Sequence, residues 1–324
     1  MNKSFIEERD GFDNRLLLFL KKKSGIPFIN IKRLKQKVWL LSSTYENWIA
    51  KEFSSESKLT IQIAFTKELV DNGFIRTYSF HPQRFIVDNR IFGLIQYIEP
   101  VSENNFHYGN DNHISDSLQL LAHFHDTTSK FTSSFKNEIP NFRQIGKWNR
   151  RLMDFYYSMN EHKLSPAYSY LQQFSRIGEW ALNKLQDDEL FFTSKPHCII
   201  HGDLASHNFI KGKDGTLYLI DFDLISIAPS HIDLLQMCNR VLPALNWSSD
   251  RLFSLEQIRI YKETRPFLAA LVFPTDIFRE WNYFANSTAP ERQRRWVFLE
   301  KLIFGQLKER MEFYRTMIEK VEAI

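Results

Sequence analysis

The sequence predicts an α+β fold in two lobes, a small β-rich lobe over residues 1–99 and a larger, mainly helical lobe over 100–324. Three observations point there. Strand-like alternation of apolar residues clusters before Pro100, helical periodicity dominates after it, and a short hairpin-like stretch interrupts the later helices near 197–221. At 324 residues the chain is long enough for two lobes that each bury a core.

Residues 12–23 read as a helix, because Phe12, Leu16, Phe19 and Leu20 fall on one stripe. The Lys21-Lys22-Lys23 run after it reads as a solvated helix end. Alternation in Val38–Leu41 and Trp48–Phe53, around the polar Ser42–Asn47, predicts a hairpin. A helix over 58–72 is ended by Gly73, and strands at 84–88 and 91–98 are joined by the turn-like Asp88-Asn89-Arg90. The stretch 101–113, rich in Asn, His and Ser, reads as a loop. Helices are predicted at 114–128, 146–161, 166–187, 230–245, 253–270, 276–286 and 290–320, with strands at 197–201, 208–211 and 216–221.

Composition narrows the function classes. Apolar residues at 43% and charged residues at 25% are ordinary for a globular protein. The formal charge of +4, from 42 basic and 38 acidic residues, admits anionic ligands, and no basic stripe interleaved with aromatics argues for nucleic acid. With only Cys198 and Cys238, no disulfide framework is expected, which fits a reducing compartment. The first ten residues lack an apolar signal segment, and the longest apolar runs, such as Phe267–Phe273, are too short to span a bilayer. The expectation is a soluble, cytoplasmic protein with no membrane partner.

The chemistry is concentrated in Cys198–Ile210 and the segment after it. An apolar strand delivers His201-Gly202-Asp203, and Asn208 opens the next strand. Lys211–Gly215 turns the chain, and Thr216–Ile220 returns to end in Asp221-Phe222-Asp223. Phosphoryl transfer calls for these residue types. It needs a carboxylate beside the acceptor hydroxyl and fixed oxygen ligands for a divalent metal bridging the ATP phosphates. Asp203 can take or orient the acceptor's proton, while Asn208 and Asp221 can offer a neutral and an anionic oxygen to Mg²⁺. Gly202 lets the backbone turn without a Cβ clash.

This arrangement resembles the HGD-x4-N pattern, followed by a strand ending in D-[FW]-[DE], of the aminoglycoside-phosphotransferase and choline-kinase superfamily. Leu120–His125 looks like that superfamily's LAxxH helix end. Leu271-Val272-Phe273-Pro274, followed by Phe278-Arg279, looks like the bacterial spore-coat CotS branch. The likeness runs over roughly residues 30–320 and is strongest in 197–235. It implies a protein-kinase-like fold, with residues 1–99 as nucleotide-binding lobe and 100–324 as catalytic and acceptor-binding lobe. It also implies ATP and Mg²⁺ as cofactors, Lys51 as the strand lysine aimed at the α/β-phosphates, and main-chain groups of Gln96 to Ile98 lining the adenine pocket.

The resemblance further makes Asp233 a support for the catalytic loop, and His201 reads as a loop anchor because a general base there would duplicate Asp203. Asp223 is left between a place near the metal and a structural hydrogen bond. His125 and His207 read as structural or surface residues, and Cys198 as inert packing. The pattern departs in two places. No glycine-rich phosphate loop follows Gly25 until Gly73, and the helix offers Lys51 Gln62 where a Glu is usual, Glu68 lying too late.

The function expected is a kinase that phosphorylates a hydroxyl of a small molecule. The alternative is an inactive kinase-like protein of spore-coat assembly, with coat proteins as partners and the coat as location. Walls for the acceptor are expected from Trp148, Arg150, Arg151 and Tyr156 and from Arg279, Trp281 and Tyr283, a set suited to a negatively charged or sugar-like acceptor.

Overall fold

The computed structural model describes residues 3–102, 106–162 and 165–324, residues 3–10 as backbone only. Its first elements are α1 (Lys3–Ser24), β1 (Asn30–Lys35), β2 (Val38–Ser42), β3 (Asn47–Phe53), α2 (Glu56–Asp71), β4 (Phe80–Val87) and β5 (Arg90–Gln96). Next come α3 (Asp111–Phe131), α4 (Gln144–Asn160), α5 (Tyr168–Lys184) and α6 (Glu189–Thr193). Short strands follow: β6 (Cys198–Ile200), β7 (Phe209–Lys211), β8 (Leu217–Leu219) and β9 (Ser226–Ala228). After them lie α7 (His231–Val241), α8 (Ser249–Ser254), α9 (Glu256–Arg259), α10 (Arg265–Val272), α11 (Thr275–Ala285), α12 (Ala289–Phe304) and α13 (Leu307–Ala323). The chain divides into two units, Met1–Phe106 with His207–Asp223, and His107–Ser206 with Leu224–Ile324.

In the first unit the strands pair antiparallel in the order β1-β2-β3-β5-β4. The stripe on α1 does what its spacing predicts. Leu16 and Leu20 are fully buried against Trp39, Leu41, Phe92 and Leu94, the inward residues of β2 and β5. Each such burial contributes about 1.5–3 kcal/mol before chain entropy is counted. The β4–β5 turn places Asp88 and Asn89 at φ 48° and 59°, the paired positive φ of a tight hairpin, which Asn and Asp tolerate. Lys51 of β3 lies directly opposite Gly93 of β5, so both face the same side of the sheet. That side carries α2: a Cβ on Gly93 would stand 2.7 Å from Leu59 Cδ1. The β7–β8 hairpin joins this unit through a bridge from Gly212 to Pro100 and a hydrogen bond from Leu219 N to Arg76 O at 3.0 Å.

The second unit is helical around α10, whose residues Phe267 to Val272 are wholly buried and pack against α13, α5 and α7. The longest apolar run of the sequence is therefore core. Among the described residues no helix is long and apolar enough to cross a membrane. Inside this unit β6 pairs with β9, and Thr128 Oγ1 of α3 donates to Ile199 O at 3.0 Å, tying the strand to the helix before it.

Four expectations need correction. The expected hairpin gains a further strand at its edge, β1, whose Asn-Ile-Lys-Arg-Leu-Lys has little alternation; it is exposed and carries charge, as edges tend to. Strand β9 was missed, being three residues buried on both sides. The helix expected over 253–270 is three pieces, since Leu255 is extended and Pro266 can begin α10 but not continue a helix. The helix expected over 290–320 breaks at Gly305-Gln306. There Gln306 leaves helical geometry, accepts from Trp247 Nε1 at 3.2 Å and donates to Pro243 O at 3.0 Å. Part of the loop expected over 101–113, residues 103–105, lies outside the described residues, and Asn110 already caps α3.

Candidate active site

Within the first unit, Lys51 and the Asp221-Phe222-Asp223 segment come together from positions 170 and 172 residues apart. Lys51 Nζ donates to Asp221 Oδ1 at 2.8 Å and to Asp223 Oδ1 at 2.7 Å. Gln62 Nε2 of α2 donates to the same Asp223 oxygen at 2.6 Å. The helix position where the pattern has a Glu therefore holds an amide that donates to a carboxylate, and Asp223 is the acid that completes the set. For Asp223 the geometry gives a hydrogen-bonding, ion-pairing role.

Asp221 has φ 70°, a left-handed conformation that costs a non-glycine residue about 1–3 kcal/mol and persists where its surroundings impose it. The surroundings are visible. Phe222 is buried between Phe65 and Tyr78, ring centroids 5.2 and 5.5 Å away, and Ile220 N donates to Asn208 O at 2.9 Å. Burial, with the charge of Asp221 adding to it, pushes the Tyr78 phenol far above its ordinary range. Asn208 is itself buried. At the end of β5, Gln96 N donates to Ser79 O at 2.9 Å and Tyr97 N to Asn47 O at 3.2 Å, while Ile98 is half-buried.

Within the second unit, the loop after β6 is organised by α7. Asp233, fully buried, accepts from His201 N at 2.7 Å and from Gly202 N at 3.0 Å, and pairs with His125 Nε2 at 2.8 Å. Burial pushes its carboxyl up, but the hydrogen bond and charge of His125, with His201 adding to them, hold it below the ordinary value. One turn later Gln236 takes both sides of the loop, accepting from Leu204 N at 2.5 Å and donating to Gly202 O at 2.7 Å. Arg240, a further turn on, donates to Asp203 Oδ1 at 3.0 Å. Tyr108 OH donates to Leu204 O at 2.8 Å. Gly202 has φ 77°, and a Cβ there would sit 2.3 Å from Leu224 O, so no other residue fits.

The reading of Asp233 as a support and of His201 and His125 as structural agrees with these bonds. His207 is exposed, and Cys198 and Cys238 are buried thiols that burial holds far above their ordinary pKa. Sequence reasoning missed Gln236, Arg240 and Tyr108. The first two sit at i+3 and i+7 from Asp233, a helical spacing that could have marked one loop-facing stripe. Two expected acceptor walls are core instead: Trp148 stacks on Phe273 with centroids 4.5 Å apart, and Trp281 is wholly buried. Tyr283 is exposed beneath the guanidinium of Arg295, 3.6 Å from its ring centre.

Among the described residues no group of three or more His, Cys, Asp or Glu could hold a metal. A one-carboxylate, one-amide set such as Asp221 and Asn208 suits instead a hard cation that takes its remaining oxygens from water and phosphate.

The model of the phosphotransferase enzyme family matches residues 35–271. No curated protein matches the chain. Among solved structures, an aminoglycoside phosphotransferase from Alicyclobacillus acidocaldarius superposes with a TM-score of 0.71 at 15% identity, covering 92% of this chain and 93% of that one. A spectinomycin phosphotransferase in complex with ADP and spectinomycin gives 0.57 at 13% identity, covering 96% and 97%. A macrolide 2′-phosphotransferase from Brachybacterium faecium gives 0.53 at 14% identity, covering 87% and 96%. At these identities the likeness establishes the fold, which is protein-kinase-like. Since the family pattern itself spans residues 35–271, the chain belongs to the phosphotransferase enzyme family, as a kinase-type phosphotransferase acting on hydroxyl groups.

Proposed function

We propose that the chain transfers the γ-phosphoryl group of ATP, with Mg²⁺, to a hydroxyl of a small molecule. The observation that carries the reading is the contact of Lys51 Nζ with Asp221 Oδ1 at 2.8 Å. It joins the strand lysine to the motif aspartate, the two groups a nucleotide's phosphates and its metal would use. In this reading residues 1–99 form the nucleotide-binding lobe, with main chain at Gln96 and Ile98 against the adenine, and 100–324 the catalytic and acceptor-binding lobe. Asn208 and Asp221 would hold Mg²⁺, which when bound neutralises charge on the phosphate oxygens. Asp203 receives the acceptor's proton as the acceptor oxygen bonds to the γ-phosphorus. The bridging P–O bond to the β-phosphate then breaks, leaving ADP and a phosphate monoester. Arg240 holds the Asp203 carboxylate in place for that step. The ADP complex of the spectinomycin phosphotransferase supports a nucleotide on this fold.

The rival reading, an inactive protein of spore-coat assembly, rests on the missing glycine-rich phosphate loop and on the lack of an acidic helix partner for Lys51. Asp223 and Asp221 supply acids to that lysine, which weakens the second of these supports. The test is a melting-temperature and turnover pair. Millimolar Mg²⁺-ATP should raise the melting temperature, since a ligand that binds only the native state stabilises it, and the shift should shrink with EDTA or in Asp221→Ala. ATP turnover across a panel of alcohols should require Mg²⁺. No shift and no phosphorylated product from any alcohol would overturn the proposal.

A further inference from the structure

Positive charge collects around the Asp203 loop of the second unit beyond what the loop's own bonds use. Arg240 is one source, at 3.0 Å from Asp203. Lys147 and Arg151 stand one helical turn apart on α4, and Arg279 belongs to α11. The two helices are locked together. Phe155 and Phe278 meet with ring centroids 4.3 Å apart, and Asn282 Nδ2 donates to Arg151 O at 2.9 Å. These cations are therefore presented on a fixed frame.

They act on one another, and Lys147 and Arg240 also feel the Asp203 carboxylate. Lys147 is an exposed residue of α4, and partial loss of hydration, then the charges of Arg151 and Arg279, lower it to about 8 against the pull of Asp203. Burial and Arg279 bring Arg151 down to about 10, and the same two causes lower Arg240. Crowding of like charge works against the folded state unless an anion uses it.

The local acids do not balance the set. Among the described residues Lys147 and Arg151 make no salt bridge, and the acids that act on them from farther off are Asp203 on Lys147 and Asp276 and Glu280 on Arg151. The amine of Lys147 lies 4.7 Å from the Phe142 ring centre, and Arg151 donates to Thr275. Glu280 is taken by Arg279 at 2.9 Å, and Asp276 by Arg310 at 2.8 Å. Nor is packing the reason for the cations, because α4 is anchored by Trp148, Leu152 and Phe155 on its buried face.

Resting on the reading of Asp203 as the group that takes the acceptor's proton, we propose that the acceptor is an anionic alcohol. Lys147, Arg151 and Arg279 hold its carboxylate or phosphate end while its hydroxyl meets Asp203. A polyaminated acceptor such as an aminoglycoside would bring ammonium groups against this cluster and be repelled.

The test is a charge series on one six-carbon polyol frame. Binding of gluconate, sorbitol 6-phosphate, sorbitol and glucamine to the full chain is measured by calorimetry without nucleotide. At least one anion should bind at least about tenfold more tightly than sorbitol, with glucamine weakest. Whether gluconate or sorbitol 6-phosphate leads tells a carboxylate from a phosphate. Lys147→Met and Arg279→Met should each cut the preference for the anion severalfold while melting as the wild type does. Equal affinities across the series, including none measurable, overturn the proposal, as does tighter glucamine or a preference that survives both substitutions. Since no ATP is present, these outcomes are separate from the phosphoryl-transfer reading. That reading fails on its own if Mg²⁺-ATP and alcohols yield no phosphorylated product.

Discussion

The amides of His201 and Gly202, outside any strand or helix, find the Asp233 carboxylate at 2.7 and 3.0 Å, with His125 on its other flank. Removing that carboxylate leaves buried donors without acceptors, so Asp233→Ala should destabilise the protein by about 1–3 kcal/mol. Asp203 is the contrast. Its bond to Arg240 is part-exposed, and such pairs are worth about 0–1 kcal/mol, so Asp203→Ala should leave stability nearly unchanged. Chemical denaturation of both variants checks the pair. An Asp233→Ala variant that unfolds no earlier than wild type would refute its supporting role, whatever happens to activity.

At the scale of elements, α2 meets the Asp221–Asp223 segment through one amide. Gln62 Nε2 lies 2.6 Å from Asp223 Oδ1, a distance that suits a donor and not a second carboxylate. Gln62→Glu should therefore cost about 1–2 kcal/mol, moderated by solvent at half-exposed Asp223. The cost should shrink in the Gln62→Glu, Asp223→Asn double mutant, which the denaturation midpoints of a four-member cycle would read. A Gln62→Glu variant as stable as wild type would mean that Lys51 shares itself between the two acids.

This contact also marks how far the sequence is legible. Asp203, Asn208 and Asp221 stand out because their chemistry is packed into one local motif, and helices such as α4 and α11 announce themselves by periodicity. Lys51 with Asp223 is a meeting of distant segments that leaves no local trace, and Gln236 with the Asp203 loop shows only in its helical spacing from Asp233. The bounds of strand β1 are blurred because edge strands are polar, and the break at Gly305-Gln306 is hidden because it is made by bonds to Trp247 and Pro243, not by its own residues. The aromatic and Arg stretches proposed as acceptor walls divide in the same way. Trp148 and Trp281 turn inward and the cations remain, a distinction that composition does not carry.

For the whole molecule, buried titratable groups in the second unit set a common response to acid. Burial beside Phe191, whose ring stacks at 4.1 Å, lowers His231 from 6.5 to about 4. The unfolded chain then takes up that proton first as pH falls, so the histidine's share of stability is complete above about 6.5 and is lost on the way to 4. Asp233 and Asp276 are both depressed below 3.8, so their shares are lost only at lower pH. Melting temperature should thus be level just above pH 6.5 and fall below it, and His231→Phe should flatten the stretch between 6.5 and 4. An unchanged slope in that variant would assign the fall to other groups.

The phosphotransferase reading itself turns on what Asp203 does, and one comparison reaches it most directly: turnover and ATP affinity measured side by side in Asp203→Ala. With Mg²⁺-ATP and an alcohol that the wild type phosphorylates, turnover should fall by about two to four orders of magnitude while ATP binds as before. Wild-type turnover in Asp203→Ala, with the phosphorylated product identified, would contradict the account.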